Sequence, residues 1–119
     1  MQIYLICPVR NGTSEYSQAA QNYVAQLESQ GHQVYWPTRD TDQIDPTSFR
    51  ICKDNRHGIE TAEGTHVIWD GQFQGSIFDM GIAFALRKKI VPITGYFPPR
   101  TEGKSTQNMV YDWHKNGVS

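Results

Sequence analysis

The sequence predicts an α/β fold of three layers, flavodoxin-like or Rossmann-like, with a central parallel sheet in the order 2-1-3-4 that a fifth strand would extend. Three observations predict it. Short β-branched and aromatic runs (QIYLIC, HQVYWP, THVIWD, IVPI) alternate with longer segments of helical period. The gaps between these runs are long enough for the helical crossovers that parallel strands require. Proline or glycine stands at the ends of several elements, Pro8 and Gly31 among them.

Gln2 to Cys7 forms the first strand, ended by Pro8. After the loop PVRNGTS, Ser14 offers an N-cap and Glu15 suits the first turn of a helix. Tyr16, Ala19, Ala20, Tyr23, Val24 and Leu27 then recur at helical spacing, and Gly31 supplies the stop. His32 to Pro37 is the second strand. TRDTDQID is polar and predicts a loop, after which Asp45-Pro46 opens the second helix in N-cap and N1 style. Phe49, Cys52, Ile59 and Ala62 carry that helix. Thr65 to Asp70 is the third strand, Ser76 to Lys89 the third helix and Ile90 to Ile93 the fourth strand. The loop GYFPPRTEGK leads to a last helix around Ser105 to Lys115, and residues 1–119 form a single domain.

Composition excludes several function classes. Eleven basic and twelve acidic residues give a net charge of −1, with no basic stripe for nucleic acid. No apolar run approaches the roughly 20 residues of a membrane helix, and no signal peptide precedes the first strand. Cys7 and Cys52 lack Cys or His partners at metal-ligand spacing, and the four histidines are scattered. The expectation is a cytoplasmic protein with reduced thiols, no metal, and neither nucleic acid nor membrane as partner.

In such sheets ligands bind beyond the carboxyl ends of the strands, where the strand order switches. The loops PVRNGTS, DGQFQGS and GYFPPRTEGK collect at that edge. Response-regulator chemistry would suit Asp70 but needs acids after the first strand, and CPVR supplies none. A tyrosine-phosphatase loop needs Cys-x5-Arg, whereas Arg10 follows Cys7 too closely. A flavin phosphate loop at NGTS is a third possibility, which a yellow colour would reveal. What stands out is Arg10, Asp70 and Asp79, each with a plain alternative. Arg10 is an anion ligand or an exposed loop cation. Asp70 is a site residue or the start of a turn before Gly71. Asp79 is a reactive carboxylate or, through Ser76-x-x-Asp79, the return arm of a capping box, where a helix N-terminus would keep it ionised.

GSIFDMGIAFALRKKIVPI resembles the signature of the nucleoside 2-deoxyribosyltransferase family, G-T-x-F-E-I-G-x-A-x-A-x-G-K-x-[IV]. QIYLICPVRNG is similar to the family's opening I-Y-x-A-G-P, and DNRHGIETAEGTHVIWD to its D-x-x-x-I-x-x-A-D-x-V. GKSTQNM resembles a C-terminal segment whose Asn reaches a neighbouring subunit. The resemblance implies a flavodoxin-like fold and cleavage of a nucleoside N-glycosidic bond by a carboxylate that captures C1′ of the sugar, in the manner of retaining glycosidases. It implies a homodimer or higher homo-oligomer and no cofactor.

By the same resemblance Asp79 stands at the nucleophilic Glu and Asn55 at a supporting Asp, with Asp54 adjacent. Gly75 and Ser76 open the signature, Tyr4 and Pro8 match the opening strand and loop, and Asn108 lies one residue from the subunit-crossing Asn. Arg10 matches the phosphate-binding Arg of the related deoxynucleoside 5′-monophosphate N-glycosidases. Asp70, ending the third strand, completes the substrate-binding set. Asp is one methylene shorter than Glu, which draws its oxygens back by roughly 1.5 Å, and Asn55 cannot ionise. A serine of the phosphate-cleaving branch is Phe73 here. Trp69, Phe73 and Tyr96 are candidates for stacking on a base or for packing. Two functions follow: cleavage or transfer at the N-glycosidic bond of a (deoxy)nucleoside or its 5′-monophosphate, or a non-catalytic nucleotide-binding, sensing module of the same fold.

Overall fold

Strand β1 (Gln2–Ile6) lies between β2 (Gln33–Tyr35) and β3 (Gly64–Val67), and β4 (Lys89–Pro92) completes a sheet of order β2-β1-β3-β4. All three pairings are parallel, with Tyr4 level with Tyr35 on one side and Thr65 on the other. The computed structural model describes residues 1–9 and 14–117. The helices are α1 (Ser14–Ser29), α2 (Pro37–Asp40), α3 (Phe49–Thr61), α4 (Gln74–Ala85) and α5 (Thr106–Asn116).

A sheet covered on both faces needs apolar residues on both sides of each strand, and Ile3, Tyr4, Leu5 and Ile6 are all buried. Alternation sorts them. Ile3, Leu5 and Cys7 pack with Ala20, Val24 and Leu27 of α1. Tyr4 and Ile6 pack on the other face with Ile59 of α3, Met80 and Ala83 of α4, and Val110 and Trp113 of α5. Helix α1 stops where Gly31 takes φ 92° and the amides of Gly31 and His32 return to the carbonyls of Glu28 and Leu27.

Several boundaries differ from the sequence expectation: β2 stops at Tyr35, β3 at Val67, short of Asp70, and α4 at Ala85, and three differences bear on the site. The polar stretch after β2 contains α2, a single turn with Pro37 at its start and the Asp40 carboxylate accepting from the Trp36 amide at 2.8 Å. Helix α3 begins at Phe49 after Ser48 at φ 65°, not at Asp45-Pro46. Asp45 still serves that end, accepting from the amides of Thr47 and Ile51. Helix α4 begins at Gln74 behind Phe73, so Ser76 is inside the first turn and is no N-cap. Asp70 orders the approach instead, one carboxylate oxygen accepting from the Gln72 and Phe73 amides at 2.9 Å. Ser105 does cap α5, accepting from the Asn108 amide at 3.1 Å.

Both sheet edges are closed. At β2, only three residues long, the Arg39 guanidinium donates to the Val34 carbonyl at 2.8 Å. At β4, Trp113 donates to the Lys88 carbonyl at 3.0 Å and His114 to that of Ile90 at 2.7 Å.

Candidate active site

A cavity of about 200 Å³ opens at the carboxyl end of β1, at the strand-order switch. Its walls come from the segment after β1, from residues 43–55 and from the start of α4, with Asn55, Gly75, Phe78 and Asp79 among them. The loop GYFPPRTEGK, expected at this edge, contributes nothing among the described lining residues. There Phe97 packs against Trp69, and Arg100 pairs with Asp112. The α3 approach takes its place. A larger cavity of about 330 Å³ lies along β2 and α3, lined by Gln2, Gln33, Tyr35, Arg39, Gly58 and Thr61, and contains neither Asp79 nor Asn55.

Asp79 sits in the second turn of α4, facing inward. Its Oδ2 accepts from the Tyr4 hydroxyl at 3.0 Å. Burial pushes its pKa up to about 6, against which the Tyr4 bond pulls downward. The cap reading is therefore overturned: helix α4 starts too early for Asp79 to reach its first amides, and desolvation makes the carboxylate easier, not harder, to protonate. The Tyr4 hydroxyl is held protonated by its own burial and by the negative charge of Asp79.

Asn55 is buried in the opposite wall, on α3. Its Oδ1 accepts from Thr41 Oγ1 at 2.8 Å, and Thr41 in turn bonds the Tyr35 hydroxyl. The Tyr4 and Tyr35 rings stack with centroids 5.4 Å apart and planes 9° from parallel. Two neighbouring rings thus carry two hydrogen-bond chains, one ending on Asp79 and one on Asn55. A Cβ at Gly58 would stand 3.1 Å from both rings, so glycine is what α3 requires there.

The remaining site candidates divide. Gly75 lines the cavity beneath the Phe73 ring, which a Cβ would meet at 2.6 Å. Pro8 is buried between Cys7 and Val9, both of which line the cavity. Ser76 is buried, its hydroxyl without a partner among the described residues. Asp54 is absent from the lining and pairs with Arg50 at 2.6 Å, while Arg50 also holds the carbonyls of Asp42 and Ile44. Asp70 orders its own turn. Asn108 binds Thr101 twice and the Gly103 carbonyl, closing the loop before α5. Arg10 lies outside the described residues. Of the aromatic candidates Phe73 alone lines the cavity; Trp69 is a core residue donating to the Phe73 carbonyl, and Tyr96 packs edge-on to Tyr16. Burial pushes the Cys7 thiol up to about 11, which leaves it unreactive.

This is the fold of the nucleoside 2-deoxyribosyltransferases and of a related N-glycosidase. The chain is similar to the 2-deoxyribosyltransferase of Bacillus psychrosaccharolyticus, with a TM-score of 0.71 and 23% identity over 94% of this chain and 81% of that one. The 2-deoxyribosyltransferase of Leishmania mexicana gives 0.66 and 18% over 93% and 85%. The CMP N-glycosidase of Clostridium botulinum gives 0.60 and 16% over 77% and 70%. No protein-family profile and no curated protein matches the chain.

Proposed function

We propose that the chain cleaves or transfers at the N-glycosidic bond of a nucleoside or its 5′-monophosphate, with Asp79 as nucleophile. One observation carries this reading: a part-buried carboxylate, oriented by a tyrosine hydroxyl, opens onto the switch-point cavity opposite a buried amide. Asp79 attacks C1′ and holds the sugar as a glycosyl ester until water or an acceptor base takes it. Tyr4 orients the attacking carboxylate, and Asn55 and Gly75 face the ligand. Arg10 would meet a 5′-phosphate. The likeness in fold to two transferases and a nucleotide N-glycosidase supports this class of chemistry.

The test is chromatographic release of free base from deoxynucleosides, ribonucleosides and their 5′-monophosphates. Release from one group or more is expected. Its absence throughout, with a nucleotide still raising the melting temperature, would favour the alternative of a non-catalytic nucleotide binder. Asp79 and Asn55, standing in for the family's Glu and Asp, are what favour that alternative.

Nucleophilic attack requires ionised Asp79, so release should fall about tenfold per pH unit below the carboxylate's value of about 6 and level off above it. A pH–kcat/KM profile checks this. A limb near pH 4 would mean that burial does not govern the group.

The active unit we propose is a homodimer. Ile77, Phe78 and Phe84 are 42%, 55% and 47% exposed along α4, where no charge intervenes between Asp79 and Arg87. Light scattering should give twice the chain mass, and Ile77→Glu should halve it. Cys7 and Cys52, neither of them in a disulfide, suit a reducing cytoplasm. Among the described residues no helix is long and apolar enough to cross a membrane.

A further inference from the structure

Asn55 can be assigned a polarity. Thr41 Oγ1 donates to Asn55 Oδ1, which requires the hydroxyl shared with Tyr35 to be donated by the tyrosine. Protons then run Tyr35 to Thr41 to Asn55, and each finds an acceptor. The reverse order would leave the Tyr35 proton with none among the described residues. The amide nitrogen of Asn55 therefore faces away from Thr41, with no acceptor in the described protein, in a residue that lines the cavity. The cavity that Asp79 lines is thus also lined by a group that donates hydrogen bonds and cannot titrate.

Among the described lining residues, the second carboxylate and the Cys7 thiol supply no proton either. Asp45 is held below the usual carboxylate range, chiefly by the amide of Ile51, with further help from Thr47 and Arg50. Tyr4 already donates to Asp79, and burial keeps the Cys7 thiol protonated. Cys52 is the remaining one, a thiol on the α3 wall.

We propose that Asn55 selects the leaving base: the site takes imide-type bases, such as uracil, that depart as delocalised anions, over amino bases such as cytosine that must be protonated to leave. This rests on the glycosyl reading of the site. The bond from Asp79 to C1′ forms as the C1′–N bond breaks, and its electron pair passes into the base ring and the carbonyl beside that nitrogen. The Asn55 amide donates to that carbonyl as charge gathers on it. The departed anion takes its proton from water. Thr41 and Tyr35 act through Asn55, as positioning residues that fix which end of the amide faces the ligand.

The experiment compares base release from deoxyuridine and deoxycytidine, and from their 5′-monophosphates, across pH. Wild type should release uracil at least about tenfold faster than cytosine, with a rate that stays level on the alkaline side. Asn55→Asp should narrow the ratio several-fold and add a descending alkaline limb. Thr41→Val should lower kcat for uracil release with KM little changed, and Thr41→Ser should restore it, which a merely structural threonine would not require. Melting curves establish that each variant is folded. Equal release of both bases by wild type, unchanged in Asn55→Asp, would overturn the selection while leaving the glycosyl chemistry standing. Absence of release from all four compounds would overturn the selection, and the glycosyl reading falls with it only where the wider nucleoside and nucleotide panel is silent too.

Discussion

Replacing Asp79 with Asn should abolish base release and at the same time raise the melting temperature. Loss of the nucleophile costs more than about a thousandfold in rate. The stability gain follows from the environment of the carboxylate. Its pKa rises from the ordinary carboxylate value of 3.8 to about 6 on folding, with burial as the main cause. A group raised in this way contributes stability that is fully present below pH 3.8 and lost as pH rises through about 6. At neutral pH the ionised form therefore burdens the fold, by an amount on the order of 3 kcal/mol at about 1.4 kcal/mol per pKa unit. Asparagine removes the charge and still accepts from the Tyr4 hydroxyl. A helix cap would behave in the opposite way, with Asp79→Asn or Asp79→Ala lowering the melting temperature. Differential scanning calorimetry at pH 7 and a base-release assay on the same sample decide the matter. A lower melting temperature with turnover retained would remove Asp79 from the mechanism. Conservation of activity at the expense of stability is the usual signature of a functional carboxylate.

Gly58→Ala should lower turnover by about tenfold while costing little stability. Alanine favours an α-helix by about 0.8–1 kcal/mol over glycine. Against this, the added Cβ meets the Tyr4 and Tyr35 rings at 3.1 Å, and overpacking of this kind costs about 1–3 kcal/mol. The net loss is about 1 kcal/mol. The rings relieve the contact by moving a few tenths of an ångström, and each carries a hydroxyl that positions one side of the cavity. A displacement near 1 Å costs about a hundredfold in rate, so the smaller shift scales to about tenfold. Kinetics and thermal unfolding on one variant separate the two effects. A rate unchanged within twofold would mean that the tyrosine stack does not set the geometry of the site.

The sheet and most helices were legible because their signals are local and repeated. The β-branched and aromatic run QIYLIC, the helical spacing from Tyr16 to Leu27 and the stop at Gly31 are each written within a few residues. Helix α2 was hidden because one turn is too short to show a period; it is held by Pro37 and by the Asp40 carboxylate on Trp36. Asp45-Pro46 has the chemistry of a helix start, and Asp45 does bond the Ile51 amide, but from outside the helix. Ser76-x-x-Asp79 imitates a capping box in spacing alone, since Asp70 and Phe73 set the entry to α4. Asp79 stood out from the residues themselves, Tyr4 and Asn55 were reached through the family resemblance, and the structure sets Asp79 and Asn55 in one cavity lining with Tyr4 bonded to Asp79. Tyr35, Thr41 and Gly58 carried no signal in the chain. Their roles arise where β2, α2 and α3 meet, and no periodicity links residues in three different elements.

The closure of both sheet edges restricts how copies of this chain can associate. Arg39 at β2, and Trp113 and His114 at β4, occupy carbonyls that an incoming strand would need. Growth by strand addition, which has no natural end, is thereby denied to the folded protein. What is left is contact through helix faces, and a face such as that of α4 meeting its own copy about a two-fold axis is satisfied by one partner. The homodimer we propose would terminate at a closed pair, so raising the concentration should fill dimers without seeding fibres.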